Sequence, residues 1–304
     1  MRGKVSVHLA IAATRDNFWA TRTERTRSVS ASPYQPADGY ETFFRVFDSP
    51  LMRDVRRDGY GEDIGQHSWV SADELRGDIP HLLLRPDSHL LDLGCGPCGP
   101  LTFVVASVGC RGTGLERSSS AVQVGRERGA TLGLRDSLSL QVFDLNGPLP
   151  FPDRSFDAAM SLDVVLHLPD RQSFFREVAR VLVPGGRFLF TDAGVVSGAL
   201  SSDELRRRAV HGYTQFVAAG WNEDRLAAAG LRLITTEDRT AGVERVAAGR
   251  LSSLRMHRAE LAAVLGPAEV EAQEEYLDTV LEVSRRRALS RVMYLAERPT
   301  SPEP

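Results

Sequence analysis

LDLGCGPCGP, residues 91–100, is a short apolar run that breaks into glycines, prolines and cysteines. With the two residues before it, HLLDLG (89–94) reads as a buried strand opening into a loop. Three motifs overlap in that loop. Gly94, Gly96 and Gly99 have the G-x-G-x-x-G spacing of a turn that lets a pyrophosphate approach the backbone and a helix N-terminus. Cys95 and Cys98 have the C-x-x-C spacing of redox and metal sites. Asp92, Gly94 and Gly96 form Asp-x-Gly-x-Gly, an acid at a strand end ahead of an open turn. One loop cannot serve all three chemistries, and the flanking sequence discriminates among them.

Downstream, strand and helix patterns alternate. Residues 100–108 suit a helix, and GCRGTGLE (109–116) carries a second strand ending in Glu116. SSSAVQVGRERGATLG (118–133) reads as a helix with its N-cap among Ser118–Ser120. SLQVFDL (139–145) is a third strand, and FDAAMSLDVVLHL (156–168) opens with a fourth. In RQSFFREVARVLVPGG (171–186), Phe174, Phe175, Val178, Val181 and Leu182 share one helical face, and Pro184-Gly185-Gly186 is expected to end the helix. RFLFTDA (187–193) is the fifth strand. WNEDRLAAAGLRLITTED (221–238) reads as a helix, a glycine stop and a sixth strand, and RVMYLAER (291–298) as the last.

This order predicts an α/β, doubly wound, mainly parallel seven-stranded sheet, with ligands gathered at the carboxyl ends of its strands. Residues 242–289 look helical almost throughout and are expected to form a cap inserted before the last strand. The domain plan is therefore a core over 86–241 and 290–298, the cap over 242–289, and an N-terminal helical segment over 38–85. Ser71 to Glu74 has the form of a capping box. Residues 1–37 hold several arginines, many Ser and Thr, and only two acids, Asp16 and Glu24, and read as a disordered extension.

Composition narrows the function classes. The chain has 304 residues, 25% of them charged, with a net charge of −3, so no basic excess marks a nucleic-acid partner. No apolar run is long enough to span a membrane. Cys95, Cys98 and Cys110 are too few for a disulfide framework and suit a reducing compartment. The expected setting is cytoplasmic, and a homodimer is compatible. For the C-x-x-C reading, no second Cys/His pair completes a four-ligand site, so no metal is expected. For the dinucleotide reading, nothing downstream looks like a hydride-transfer substrate domain.

Five segments together carry the remaining reading: LDLGCGPCGP (91–100), GTGLERS (112–118), FDLNGPLPFPDRSFD (143–157), SLDVVLHLPDR (161–171) and REVARVLVPGGRFLFTDA (176–193). In this order and spacing the chain, from about Tyr60 to Arg298, resembles the class I S-adenosylmethionine-dependent methyltransferases of the small-molecule type. The resemblance implies S-adenosylmethionine as cofactor and a small molecule as methyl acceptor, bound through an N, O or C atom. Two alternatives stay open: an RNA or protein methyltransferase, and a non-methylating protein that keeps the cofactor. One departure concerns the position of Cys98, where such families carry a third glycine. Cysteine there is expected to keep an ordinary backbone angle.

The resemblance also implies roles. Gly94, Cys95 and Gly96 form the cofactor loop, the glycines letting the backbone pass close to the methionine moiety, and the amides beyond them would meet its carboxylate. Asp92 resembles the acid that holds the ammonium. Glu116, with Arg117 beside it, would accept the two ribose hydroxyls. Asp144 would accept the adenine amino group, Leu145 would cover the ring, and Ser161 would close the site. Tyr60, Gln66 and Trp69 would shut the cofactor in from the N-terminal side. His167 and Asp163 are the acceptor-side candidates for a base, with His211 and Tyr213 behind them. His67 and His257 read as exposed, and the Arg206–Arg208 and Arg285–Arg287 runs as solvated helix faces.

Overall fold

The apolar run ahead of the glycine loop is buried on both faces, as a central parallel strand must be: Leu90, Leu91 and Leu93 are fully enclosed. The computed structural model describes residues 9–11, 38–209 and 212–300. Its strands are β1 (Leu9–Ile11), β2 (His89–Leu93), β3 (Arg111–Glu116), β4 (Leu138–Val142), β5 (Phe156–Leu162), β6 (Leu182–Val196), β7 (Thr214–Ala218), β8 (Arg232–Asp238) and β9 (Leu289–Glu297). The helices are α1 (Asp38–Val46), α2 (Pro50–Tyr60), α3 (Ala72–Asp78), α4 (Gly99–Val108), α5 (Ser119–Thr131), α6 (Arg171–Val181), α7 (Ser202–Arg208), α8 (Trp221–Ala228), α9 (Thr240–Met256), α10 (Arg258–Leu265) and α11 (Pro267–Arg285).

Seven strands form the expected α/β sheet, in the order β4-β3-β2-β5-β6-β9-β8. From β4 to β6 all pairs are parallel, and β9 runs antiparallel to both β6 and β8. The order reverses beside β2, so the loops after β2 and β5 diverge to opposite faces and leave a crevice at their carboxyl ends. Two strands add to this sheet. β7 pairs with the end of β6 at Val195 and Val196, and β1 pairs antiparallel with β7. β1 falls within the stretch read as a disordered extension; the rest of 1–37 lies outside the described residues.

Two apolar clusters fill the faces of the sheet, and a third, from α2, α9, α10 and α11, forms a helical layer beside the crevice. Trp69 and Ala193 belong to this third cluster. α6 ends at Val181, before Pro184. Pro184-Gly185-Gly186 therefore does not end the helix. It occupies the irregular start of β6, where Gly185 donates to the Arg298 carbonyl at 2.7 Å and Arg298 N–H returns to Gly186 at 2.9 Å.

Candidate active site

The glycine loop is set by α4 behind it. A Cβ on Gly99 would lie 2.2 Å from the Gly65 carbonyl, so the third glycine of G-x-G-x-x-G permits helix packing against the Ile64–Gly65 turn. That use needs no pyrophosphate. Cys98, at φ +66° and ψ +18°, adopts the left-handed conformation that a glycine would supply. The expectation of an ordinary angle is overturned. A left-handed L-residue costs about 1–2 kcal/mol, here offset by complete burial of its side chain among Leu101, Val122 and Leu140. The cysteine pair is not redox-poised: a hydrogen bond with Cys98, then burial, pushes the Cys95 thiol well up. All three cysteines are free and buried, and no metal-holding cluster of His, Cys, Asp or Glu occurs among the described residues.

A cavity of about 250 Å3 opens at the carboxyl ends of β2, β3, β4 and β5. Of the expected cofactor residues, it is lined by Trp69, Asp92, Gly94, Cys95, Gly96, Glu116, Arg117, Asp144 and Leu145. Asp92 is 2% exposed, and no hydrogen-bond donor among the described residues reaches its carboxylate. Burial, reinforced by the neighbouring Glu116 charge, pushes it well above the usual carboxylate range. An enclosed carboxylate without a donor is suited to an incoming ammonium. Glu116 accepts from Gly96 N–H at 3.0 Å and Ser118 N–H at 2.8 Å, one bond per oxygen. Each oxygen keeps a lone pair, which fits a vicinal diol. Burial raises its carboxyl as well. Asp144 is exposed and receives Asn146 on Oδ1, leaving Oδ2 open. Leu145 and Phe143 supply apolar wall beside it.

Four expectations are corrected. Beyond Gly96, as far as Cys98, the loop offers no spare amide for a carboxylate: Pro97 has no N–H and Cys98 donates to the Cys95 carbonyl at 2.9 Å, while Gly94 and Cys95 donate to the Leu115 carbonyl and Gly96 to Glu116. Ser161 is fully buried and its hydroxyl is spent on the Leu93 carbonyl at 2.8 Å. Gln66, also fully buried, folds into its own loop, accepting from Ile64 N–H and donating to the Glu62 carbonyl. Tyr60 donates to the Ser68 carbonyl at 2.8 Å and stands behind the cavity wall. All three side chains shape the site from behind and do not line it.

On the acceptor side, Asp163 lines the cavity but is held by three donors. It accepts from Arg291 Nε at 2.8 Å, Thr191 Oγ1 at 2.9 Å and Trp69 N–H at 2.9 Å. It joins the N-terminal loop to β5, β6 and β9, and its catalytic assignment is corrected to a structural one. Glu74 is drawn into the same network: Ser71 caps α3, while Glu74 pairs with Arg291 at 2.5 Å, so the box closes on one side only. His167 remains. Its Nδ1 lies 2.9 Å from the Tyr213 carbonyl, which only accepts, so Nδ1 carries the proton and Nε2 the lone pair. Burial holds its pKa below the ordinary imidazole value, against the pull of that hydrogen bond. The ring is neutral and basic at Nε2. His211 lies outside the described residues.

Sequence reasoning missed part of the wall. Arg208 was read with a solvated run, yet it is 5% exposed and lines the cavity, while Arg206 and Arg207 are exposed. Arg250 and Tyr276 reach it from α9 and α11. His67, half-buried rather than exposed, sits 4.9 Å from the Phe43 ring and also lines it. Only the dense aromatic stretch around residues 60–69 signalled any of these.

A parallel sheet with a switch-point crevice and two buried carboxylates at neighbouring strand ends suits an adenosyl cofactor. Residues 91–190 match the family described as Methyltransferase domain. The chain is 29% identical over 271 residues to a 27-O-demethylrifamycin SV methyltransferase of Amycolatopsis mediterranei (strain S699), covering 84% of this chain and 98% of that one. A sarcosine/dimethylglycine N-methyltransferase of Halorhodospira halochloris is 37% identical over 109 residues, 36% of this chain and 39% of the relative. The solved [4+2]-cyclase SpnF superposes with a TM-score of 0.68 at 25% identity, over 86% of this chain and 96% of its own. These matches support a class I S-adenosylmethionine-dependent methyltransferase. Its cofactor is S-adenosylmethionine and its acceptors are small molecules. Among the described residues no helix is long and apolar enough to cross a membrane.

Proposed function

We propose that this enzyme methylates a hydroxyl oxygen of a small natural product, with His167 as general base. The observation carrying the proposal is the fixed tautomer of His167: Nδ1–H is held by Tyr213, and Nε2 is left to take a proton in the cavity. Bound there, the cofactor supplies an electrophilic methyl group on a sulfonium. Asp92 would hold its ammonium, Glu116 its ribose hydroxyls, and Asp144, Leu145 and Phe143 its adenine. An alcohol is a weak nucleophile, and removal of its proton by His167 Nε2 as the bond forms is worth about 10²–10⁴ in rate. Trp69, Tyr276 and Ala193 exclude water and align the acceptor. O-methylation is also what the name of the Amycolatopsis relative indicates for that protein. The proposal includes a cytoplasmic enzyme without nucleic-acid or membrane partners.

The test follows S-adenosylhomocysteine release with hydroxylated and amine acceptors. Turnover with hydroxylated acceptors is expected. The His167→Asn variant should lower kcat by about 10²-fold or more while cofactor affinity is unchanged. Because burial lowers the His167 pKa, the acid limb of the kcat profile should fall below the ordinary imidazole range. The likeness to the cyclase supports a second reading, in which the bound molecule rearranges without methyl transfer. Conversion of an acceptor with no S-adenosylhomocysteine formed would favour it.

A further inference from the structure

Two arginines stand at the acceptor end of the cavity without an acid. Arg208, buried on α7, donates Nη1 to the Tyr276 hydroxyl at 2.9 Å and Nη2 to the Ala193 carbonyl at 3.5 Å. Its guanidinium carbon is 5.9 Å from the Trp69 ring centroid and 5.4 Å from that of Tyr276. Arg250, on α9, lies 5.0 Å from the same Trp69 centroid and 5.9 Å from Tyr60. Among the described residues neither makes an ion pair. The one carboxylate of the acceptor wall, Asp163, is already held by Arg291 at 2.8 Å.

The other acids of the wall are Glu41, Asp92, Glu116 and Asp144, and the latter three sit on the strand ends assigned to the cofactor. The cofactor itself cannot balance the two guanidiniums. Its sulfonium and ammonium outweigh its one carboxylate, so it brings a net positive charge. A buried and a half-buried cation facing a third favour an anion between them, because enclosing unpaired charge is costly. Aromatic faces at 5–6 Å stabilise a guanidinium by a smaller amount and also offer a flat apolar surface.

Resting on the methyltransferase reading above, we infer that the acceptor is an apolar, planar molecule bearing a carboxylate, which docks on Arg208 and Arg250 beside Trp69 and Tyr276. Planar guanidinium forks match a carboxylate in two parallel hydrogen bonds. The anchor fixes the molecule at one end and presents its hydroxyl toward His167.

The test uses the full chain saturated with S-adenosylhomocysteine, titrated calorimetrically with 2-naphthoate and with its neutral isostere 2-naphthamide. The acid should bind at least about tenfold more tightly than the amide, the scale of a charge-assisted contact. Arg250→Gln and Arg208→Gln should each bring the ratio toward one. S-adenosylhomocysteine affinity is titrated alongside and reports folding; if Arg208→Gln fails to fold, the half-buried Arg250→Gln carries the test. Equal binding of acid and amide by the wild type, or of neither, overturns the inference. So does an Arg250→Gln variant that loses S-adenosylhomocysteine affinity tenfold, since that arginine would then serve the cofactor's own carboxylate. If the wild type binds no S-adenosylhomocysteine, the methyltransferase reading falls as well.

Discussion

Asp92→Asn should move cofactor affinity and apo stability in opposite directions. The carboxylate is enclosed and lacks a donor, and burial followed by Glu116 raises its pKa. In the unfolded chain it titrates near about 3.9. An acid with a raised folded pKa binds its proton more tightly when folded. The native state is therefore unpenalised below the unfolded value and loses stability as pH rises from there through the folded value. Asparagine fills the same space without that charge. At neutral pH the apo variant should gain about 1–3 kcal/mol, because a neutral amide replaces an enclosed charge whose burial costs more than that of a neutral polar group. For a chain of this size that raises Tm by roughly 2–5 °C, and the gain should vanish in acid. The holo protein behaves the other way. Losing a charge-assisted contact to the ammonium, worth about 1.5–3 kcal/mol, weakens S-adenosylhomocysteine binding roughly 10- to 150-fold. Differential scanning calorimetry across pH and a calorimetric titration measure both. An unchanged affinity, or an apo Tm that falls at neutral pH, would refute the assignment.

Other substitutions separate the remaining parts. Glu116→Gln should weaken S-adenosylhomocysteine by about 1–3 kcal/mol, and the loss should disappear for an analogue lacking both ribose hydroxyls. Arg291→Met strips the cation from Asp163 and Glu74, leaving two enclosed carboxylates, and should cost about 3–5 kcal/mol in urea unfolding. His257 bridges Asp58 on α2 and Glu260 on α10 at 3.0 Å each, and these partners, Asp58 first, raise its pKa. Its contribution is present below the unfolded value of about 6.5 and fades as pH rises through the higher folded value. His257→Asn should therefore destabilise slightly at pH near 5.5 and not near 8.5, the effect being small because both carboxylate partners are exposed.

The sheet was legible because parallel strands, buried on both faces, write continuous apolar runs between amphipathic helices. HLLDL, RGTGLE and FDAAMSL each appear within two residues of where they were read. The acids at their ends were legible for the same reason: a strand terminus fixes where the next residue points. β7 and the Pro184–Gly186 irregularity were not, since a five-residue edge strand and a slipped register depend on what lies alongside. The glycine loop was half legible. Its spacing named the turn, but not that Cys98 would take a left-handed angle, because burial of the thiol supplies the offsetting energy from residues far along the chain.

The sequence alone determined the class of sheet and the carboxylates at its strand ends, which follow from local periodicity and fixed loop positions, while the cofactor came from the resemblance that its motifs carry. The tertiary structure alone decided which polar side chains are free to act. Asp163 and Ser161 stand in motif positions yet are consumed by Arg291, Thr191, Trp69 and the Leu93 carbonyl. Arg208 looks like one of three solvated arginines yet is buried against Tyr276. A side chain's chemistry depends on which partners enclose it, and here those partners come from β2, β6, β9, α11 and the loop before α3, up to 128 residues away in the case of Arg291 and Asp163.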